Sequence, residues 1–442
     1  MKQTKKLINF LITGVICFQS ITAQTIYSLT DCLKIGLENN FSLQISRNNQ
    51  SISSNNYTPG NAGYLPYLNL GGRYSGTYND ITQDMKDGSS NITKGATSAS
   101  ASASATLGMT IFNGFNVKMT YKKLGELKKI GELNTQAAIE DYIAKVASTY
   151  YNYIQQLRLA DNLSYAVELS RERLRIDEER YLLGAGSKLQ VLQSRVYVNS
   201  DSSKLSKQYE TVRSVQISLN ELLAVEDPGM SFILEDSSII VNRGLIYENL
   251  LSETLTSNTS LLIASKNKLI SEYDYKIIMS KRYPYLDASA GYSYTLSESS
   301  QASYKSQTTD GFNYGLTVGF NLFDGFDVKR QLRNATLDMK NKELRYSEVE
   351  QTVKAYLLRI YYGYSNNLML MKLERQNLET AAENLSIAME RYRLGELSGL
   401  DFREVQKSLL DAREKLLSVE YQAKLAEISL LQISGNIMEY YK

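Results

Sequence analysis

A strict two-residue alternation is the most regular pattern in the chain. Leu286, Ala288, Ala290, Tyr292, Tyr294 and Leu296 fall on one side, and Asp287, Ser289, Gly291, Ser293, Thr295 and Ser297 on the other. Period two predicts a β-strand with one apolar and one polar face. The same alternation runs from Leu68 to Asn79, from Ser98 to Ile111 and from Tyr314 to Leu322. Polar loops are expected between the members of each pair, over Asp80 to Thr97 and Glu298 to Asp310. Two hairpins result, over residues 64–112 and 283–323. Strands of roughly 12–15 residues exceed the usual length in a globular sheet.

The remaining pattern is helical. From Phe402 through Val405, Leu409, Ala412, Leu416, Val419, Ala423, Ala426 and Leu430 to Ile433 the spacing alternates three and four, which defines a coiled-coil seam. Val191, Val198, Leu205, Val212 and Leu219 keep one seven-residue register; Met371, Leu378, Leu385 and Tyr392 keep another. Long helices are expected over 114–184 and 325–395, each roughly 105 Å at 1.5 Å per residue. Returning helices of half that length are expected over Ser187 to Ala224 and Ser398 to Ser434, and two more over Ser28 to Tyr57 and Gly244 to Arg282. Asp227-Pro228-Gly229 marks a break, and Ser231 to Arg243 reads as an irregular or short-strand insert.

These elements occur twice. Phe112-Asn113-Gly114-Phe115-Asn116-Val117-Lys118 returns as Phe323-Asp324-Gly325-Phe326-Asp327-Val328-Lys329, and Gly184 and Gly395, in matching Arg-Tyr-x-x-Gly turns, are likewise 211 positions apart. Upstream, Asn40 to Pro66 maps onto Asn258 to Pro284 with an offset of 218. A period this long marks a duplicated half-protein, with halves at 24–230 and 231–442.

Composition narrows the function. Residues 1–23 read as a secretory signal, with Lys2, Lys5 and Lys6 before the apolar run Leu7 to Phe18. Ile16 is bulky for a lipoprotein signal, so Cys17 reads as part of the apolar run. Loss of those three lysines lowers the formal net charge from +2 to −1, which is no footprint for nucleic acid. Only Cys32 then remains, and histidine is absent from the chain. No internal disulfide, histidine metal site or Ser-His-Asp triad is available, and neither a cofactor nor an enzyme activity is expected. The strands suit a membrane barrel, although a soluble sheet with one wet face alternates in the same way. Four strands cannot close a membrane barrel, and open edges are not tolerated in hydrocarbon. Strands in a membrane therefore require several copies of the chain.

The signal, the duplicated helix–hairpin–helix halves, the Phe-x-Gly-Phe strand exits and the Arg-Tyr-x-x-Gly-x-x-Ser turns together resemble the TolC family of outer-membrane efflux proteins. The resemblance implies a mainly α fold with a membrane β-barrel: a homotrimer with a 12-stranded barrel in outer-membrane lipid and a long periplasmic α-helical barrel. It implies a passive exit duct for efflux or type I secretion, docked to a periplasmic adaptor and an inner-membrane RND, ABC or MFS transporter. Arg180, Tyr181, Gly184 and Ser187, with Arg391, Gly395 and Ser398, would be adaptor-docking tips. Asp401, Glu404 and Tyr392 would form the periplasmic constriction. Where the family pattern pairs an acid in the first turn with an arginine in the second, this chain departs from it and has Gln190 and Leu397, so that latch is not expected. Plain turn chemistry accounts for part of this: Gly184 and Gly395 as helix C-caps, Ser187 with Gln190 as a capping box, and Ser398 with Asp401 as a close variant. A structural coiled-coil envelope protein without a pore is the other reading. No Met or Cys cluster points to copper; Met369 and Met371 read as helix packing.

Overall fold

The computed structural model describes residues 26–441, so the expected signal segment lies outside the described residues. In chain order the elements are β1 (Ile26–Tyr27), α1 (Leu29–Asn39), α2 (Phe41–Asn56), α3 (Pro59–Ala62), β2 (Tyr67–Asp84) and β3 (Ser90–Asn113). Then follow α4 (Asn116–Leu182), α5 (Lys188–Leu223), β4 (Ile233–Leu234), α6 (Tyr247–Ser257) and α7 (Thr259–Ser280). The chain ends with β5 (Tyr285–Ser299), β6 (Gln307–Gly319), α8 (Asp327–Leu394), α9 (Gly399–Ile433) and a 3-10 turn, Ile437–Tyr441. Among the described residues no helix is long and apolar enough to cross a membrane.

The strands form one antiparallel sheet in the order β2-β3-β5-β6, with β2 and β6 as unpaired edges. Its register aligns the alternation across all four strands. Leu70 faces Ala105, Ala105 faces Tyr292 and Tyr292 faces Phe312. On the opposite side Arg73, Ser102, Thr295 and Thr309 align. Within the four-strand span that polar face carries only Arg73 and Asp287 as charged residues; the rest are serine, threonine, asparagine, glutamine and glycine, apart from Tyr67 and Tyr285 at the helical end. The apolar face has no cover within the chain, since Phe312 is 86% and Tyr314 90% exposed.

The first hairpin corrects the sequence expectation. Residues 80–84 and 90–97 are strand rather than loop, and the turn shrinks to Met85–Ser89. β2 and β3 thus pair beyond Ser98, where β5 has already ended. The second turn is likewise shorter than expected, at residues 300–306.

The helices continue the strand order as a single layer. α4 packs against α2 and α5 on one side and against α7 and α9 on the other; α8 packs against α7 and α9. α4 and α8, with 67 and 68 residues, run unbroken from the sheet to the far tips. Their partners do not. The returning helices α5 and α9 are unbroken, but the two segments that lead into the hairpins are each broken by an asparagine: Asn40 separates α1 from α2, and Asn258 separates α6 from α7. Each asparagine caps the following helix through its side-chain oxygen and donates its amide to the end of a returning helix, Asn40 to the Leu222 carbonyl and Asn258 to the Ile433 carbonyl. The two contacts are related by the internal duplication.

The larger core cluster sits at this belt, around Leu33, Ile143, Tyr150, Leu219, Leu357 and Leu430. The 231–243 insert contributes β4, which pairs in parallel with β1, and Asp236, which accepts a hydrogen bond from the Tyr150 hydroxyl. The duplication, strand exits and heptad seams therefore meet in one continuous layer. α9 buries Phe402, Leu409, Ala412, Ala423, Leu430 and Ile433 of its seam.

Candidate functional site

The strands and helices bring the two Arg-Tyr-x-x-Gly turns together at the end far from the sheet. In the first, Gly184 takes φ +75 and both Ala185 and Gly186 donate to the Arg180 carbonyl. Ser187 and Gln190 then form a capping box for α5. In the second, Gly395 takes φ +87 as the α8 cap, and Ser398 accepts from the Asp401 amide. A left-handed residue followed by a serine cap is what a tight reversal between antiparallel helices requires.

Arg180 joins the turns. Its guanidinium donates to the Tyr392 carbonyl, at the end of the other long helix, and lies 5.0 Å from the Tyr392 ring centroid. Glu172 of α4 pairs with Arg393 of α8 at 3.3 Å. Hydrogen bonds from Arg175, reinforced by Arg393, pull the Glu172 carboxyl down to about 2. Tyr181 and Arg391 are exposed, with Arg391 3.7 Å from Glu396.

Tyr392 is buried. Its ring stacks on Phe402 at 4.7 Å, and its hydroxyl donates to Asp177. Burial, followed by the Asp177 contact, pushes the Tyr392 phenol up to about 12, so it stays neutral. Asp401 and Glu404 are both exposed on α9; Asp401 accepts from the Ser398 hydroxyl at 2.7 Å, and neither acid has an ion-pair partner among the described residues. The Tyr392 hydroxyl is bonded to Asp177 and not to either of them.

Behind these residues lies a polar network that the sequence reading missed. Asp177 and Arg173 of α4 are both buried, with Arg173 Nε 3.8 Å from Asp177. Ser194 of α5 also donates to Asp177. Two turns higher, Arg403 of α9 grips Asp201 of α5 through two nitrogens, at 2.7 and 2.8 Å. Ser170 donates to the same carboxylate. Arg173 and Arg403 each lie 4.9 Å from the ring of Tyr197. Burial of Asp201 opposes ionisation, but the Arg403 and Ser170 hydrogen bonds outweigh it and hold the carboxyl below its ordinary value. The signal was present in the α5 heptad: three residues after Val191, Val198 and Leu205 stand Ser194, Asp201 and Gln208, polar where a seam is normally apolar. Gln190 and Leu397 make no latch between the turns; Arg180 to Tyr392 and Tyr392 to Asp177 link them instead.

Among the described residues no group of three or more His, Cys, Asp or Glu could hold a metal ion. An open four-stranded sheet with an uncovered apolar face, carried on unbroken helices of roughly 100 Å, defines one segment of a transmembrane duct. The model of the outer membrane efflux protein family matches residues 33–225 and 250–436, so the chain belongs to that family. It is an outer-membrane exit duct of an efflux system with a large periplasmic part, a conduit class rather than an enzyme class. The fold is similar to that of CusC (16% identity, TM-score 0.75, 93% of each chain covered). It is also similar to the CmeC outer membrane channel of Campylobacter jejuni (15%, 0.74, 92% of this chain and 86% of that one). VceC of Vibrio cholerae is a third such structure (16%, 0.72, 92% and 96%). No curated protein matches the sequence.

Proposed function

We propose that three copies of this chain assemble into one duct, each giving four strands to a twelve-stranded barrel, and that the paired tips dock a periplasmic adaptor fed by an inner-membrane RND, ABC or MFS transporter. The observation that carries the reading is the open sheet: β2 and β6 are bare edges beside an apolar face that the chain leaves uncovered. Backbone edges in hydrocarbon are stable only when paired, and one four-stranded chain cannot pair its own. The helical layer has matching bare edges, with Tyr362 and Met369 exposed on α8, and Phe41 and Ile45 exposed on α2.

In this reading Arg180, Tyr181, Gly184, Ser187, Arg391, Gly395 and Ser398 form the docking tips. Asp401 and Glu404 form acidic rings from three copies, one helical turn apart, and Tyr392 holds the constriction closed from behind. The support is that both turns carry a left-handed glycine, stand side by side and expose Tyr181 and Arg391, while both acids are exposed with no ion-pair partner among the described residues. The test is amine cross-linking of the detergent-extracted protein. A band at three times the 49.9 kDa of the whole chain, less any cleaved signal, supports the assembly. Recovery as a soluble monomer overturns it. For docking, Tyr181→Asp with Arg391→Glu should abolish co-purification of the adaptor while leaving the cross-linked band intact.

A further inference from the structure

The two long helices leave the sheet with the same cationic pattern. Residues 117–129 hold Lys118, Lys122, Lys123, Lys128 and Lys129 against the single acid Glu126. The duplicated stretch 328–340 holds Lys329, Arg330, Arg333 and Lys340 against Asp338. Some of these are spoken for: Lys123 pairs with Asp274, Lys129 with Glu126 and Arg330 with Asp327. Lys118, Lys122, Lys329 and Arg333 are exposed and have no ion-pair partner among the described residues. They are duplicates of one another, four residues apart on each helix and hence on one helical face.

Helix stability does not explain them. Cations in the first two turns oppose the helix macrodipole, and α4 has no acid in its first turn to compensate. Their direction is defined by the strands. Asn116 and Asp327 line a cavity with Thr110 and Asp287, which belong to the polar face of the sheet. Lys118 and Lys122 lie about 200° and 240° further round the helix, and the duplicated pair likewise. They therefore point to the side of the apolar strand face. Side chains on a helix tilt toward its N-terminus, which in both helices is the sheet end, so these cations reach back toward the bilayer. They start about 3 to 9 Å along the helix axis, a depth matching the headgroup layer outside a hydrocarbon core of about 30 Å.

Tyrosines accompany them. Tyr57 stacks on Tyr121 at 4.6 Å, and Tyr64 meets Tyr121 edge-on at 5.8 Å. Tyr57, Tyr121 and Lys122 line one open cleft. Such rings favour the membrane–water interface, where one end is apolar and the other wet.

We propose that Lys118, Lys122, Lys329 and Arg333, with the Tyr57–Tyr64–Tyr121 cluster, form a collar that binds the headgroups of anionic phospholipids in the leaflet next to the helical body. The proposal rests on the outer-membrane duct reading, and its chemistry is that of a phosphodiester anion held by cations at fixed depth. Each cation close to an anionic surface contributes roughly a fivefold factor in partition.

The test uses the full assembled protein in mixed micelles containing phosphatidylglycerol or phosphatidylcholine, with retained lipid counted by native mass spectrometry. The wild type should retain phosphatidylglycerol at least ~tenfold better, and K118Q/K122Q/K329Q/R333Q should lose that preference. The charge-keeping set K118R/K122R/K329R/R333K should preserve it, which separates charge from misfolding. Equal retention of the two lipids by the wild type, or an unchanged preference in the neutral variant, overturns the collar. So does equal competition by soluble glycerophosphoglycerol, or binding to murein in place of lipid. Both variants should still form channels of wild-type conductance in planar bilayers. Absence of channels from the wild type would instead count against the duct reading.

Discussion

The Tyr392 hydroxyl donates to Asp177, 215 residues earlier in the chain, and so ties the end of the second long helix to the last turns of the first. Arg180 holds the carbonyl of the same tyrosine. Side chain and backbone of one residue thus anchor both tips. Tyr392→Phe should keep the stacking on Phe402 and remove only the hydrogen bond to a buried carboxylate. We expect a loss of about 1.5–3 kcal/mol, read as a lower melting temperature, together with a larger mean single-channel conductance. Unchanged melting would show that Ser194 and Arg173 suffice for Asp177.

The Asp201–Arg403 pair predicts a pH dependence. The Asp201 carboxyl is held below its ordinary value in the folded chain. Its contribution to stability is therefore complete above the unfolded value of about 4, and is lost as pH falls through the depressed folded value. Asp201→Asn leaves Arg403 half-buried without its carboxylate, and should cost about 3–5 kcal/mol at pH 7. Thermal melts between neutral and strongly acidic pH should show the wild type converging on the variant at the acid end. Parallel curves would refute the assignment.

At the proposed constriction, Asp401→Ala with Glu404→Ala removes two exposed acids without disturbing Phe402 or Arg403. Single-channel conductance should rise, or cation preference fall. If planar-bilayer recordings show neither, these acids do not line the lumen.

The duplicated strand exits should respond unequally to the same change. Gly114 and Gly325 both take φ +66. A Cβ on Gly114 would lie 2.3 Å from the Ser280 carbonyl oxygen, whereas one on Gly325 meets nothing within 4 Å. Within a single chain Gly325→Ala should cost about 1–2 kcal/mol from backbone strain alone. Gly114→Ala adds a clash with main chain and should cost ~3 kcal/mol or more, or block assembly. Comparison of the two melting curves decides it.

Much of this is legible in the amino-acid sequence. The alternation from Leu286 to Leu296 fixed which side chains share the apolar face, because period two is insensitive to what the strand pairs with. The heptads around Phe402 and Met371 located the helices for a similar reason. The strand over Thr82, Gln83 and Asp84 was hidden, since both its faces are polar and the contrast that reveals a strand vanishes. The breaks at Asn40 and Asn258 were hidden because an asparagine on an amphipathic helix reads as surface until its amide is seen on Leu222 or Ile433. The tip network went unread because Ser194 and Asp201 occupy seam positions, and only the packing shows that Arg403 and Tyr392 reach them or their neighbours.

The polar face of the sheet has a consequence for traffic. A solute arriving between these strands meets hydroxyls, amides and bare backbone, with one arginine and one aspartate per chain, and that aspartate accepts from Thr110. Such a wall offers nothing to recognise a particular shape or charge. Any choice by charge is therefore left to the other end of the chain, where Asp401 and Glu404 stand exposed.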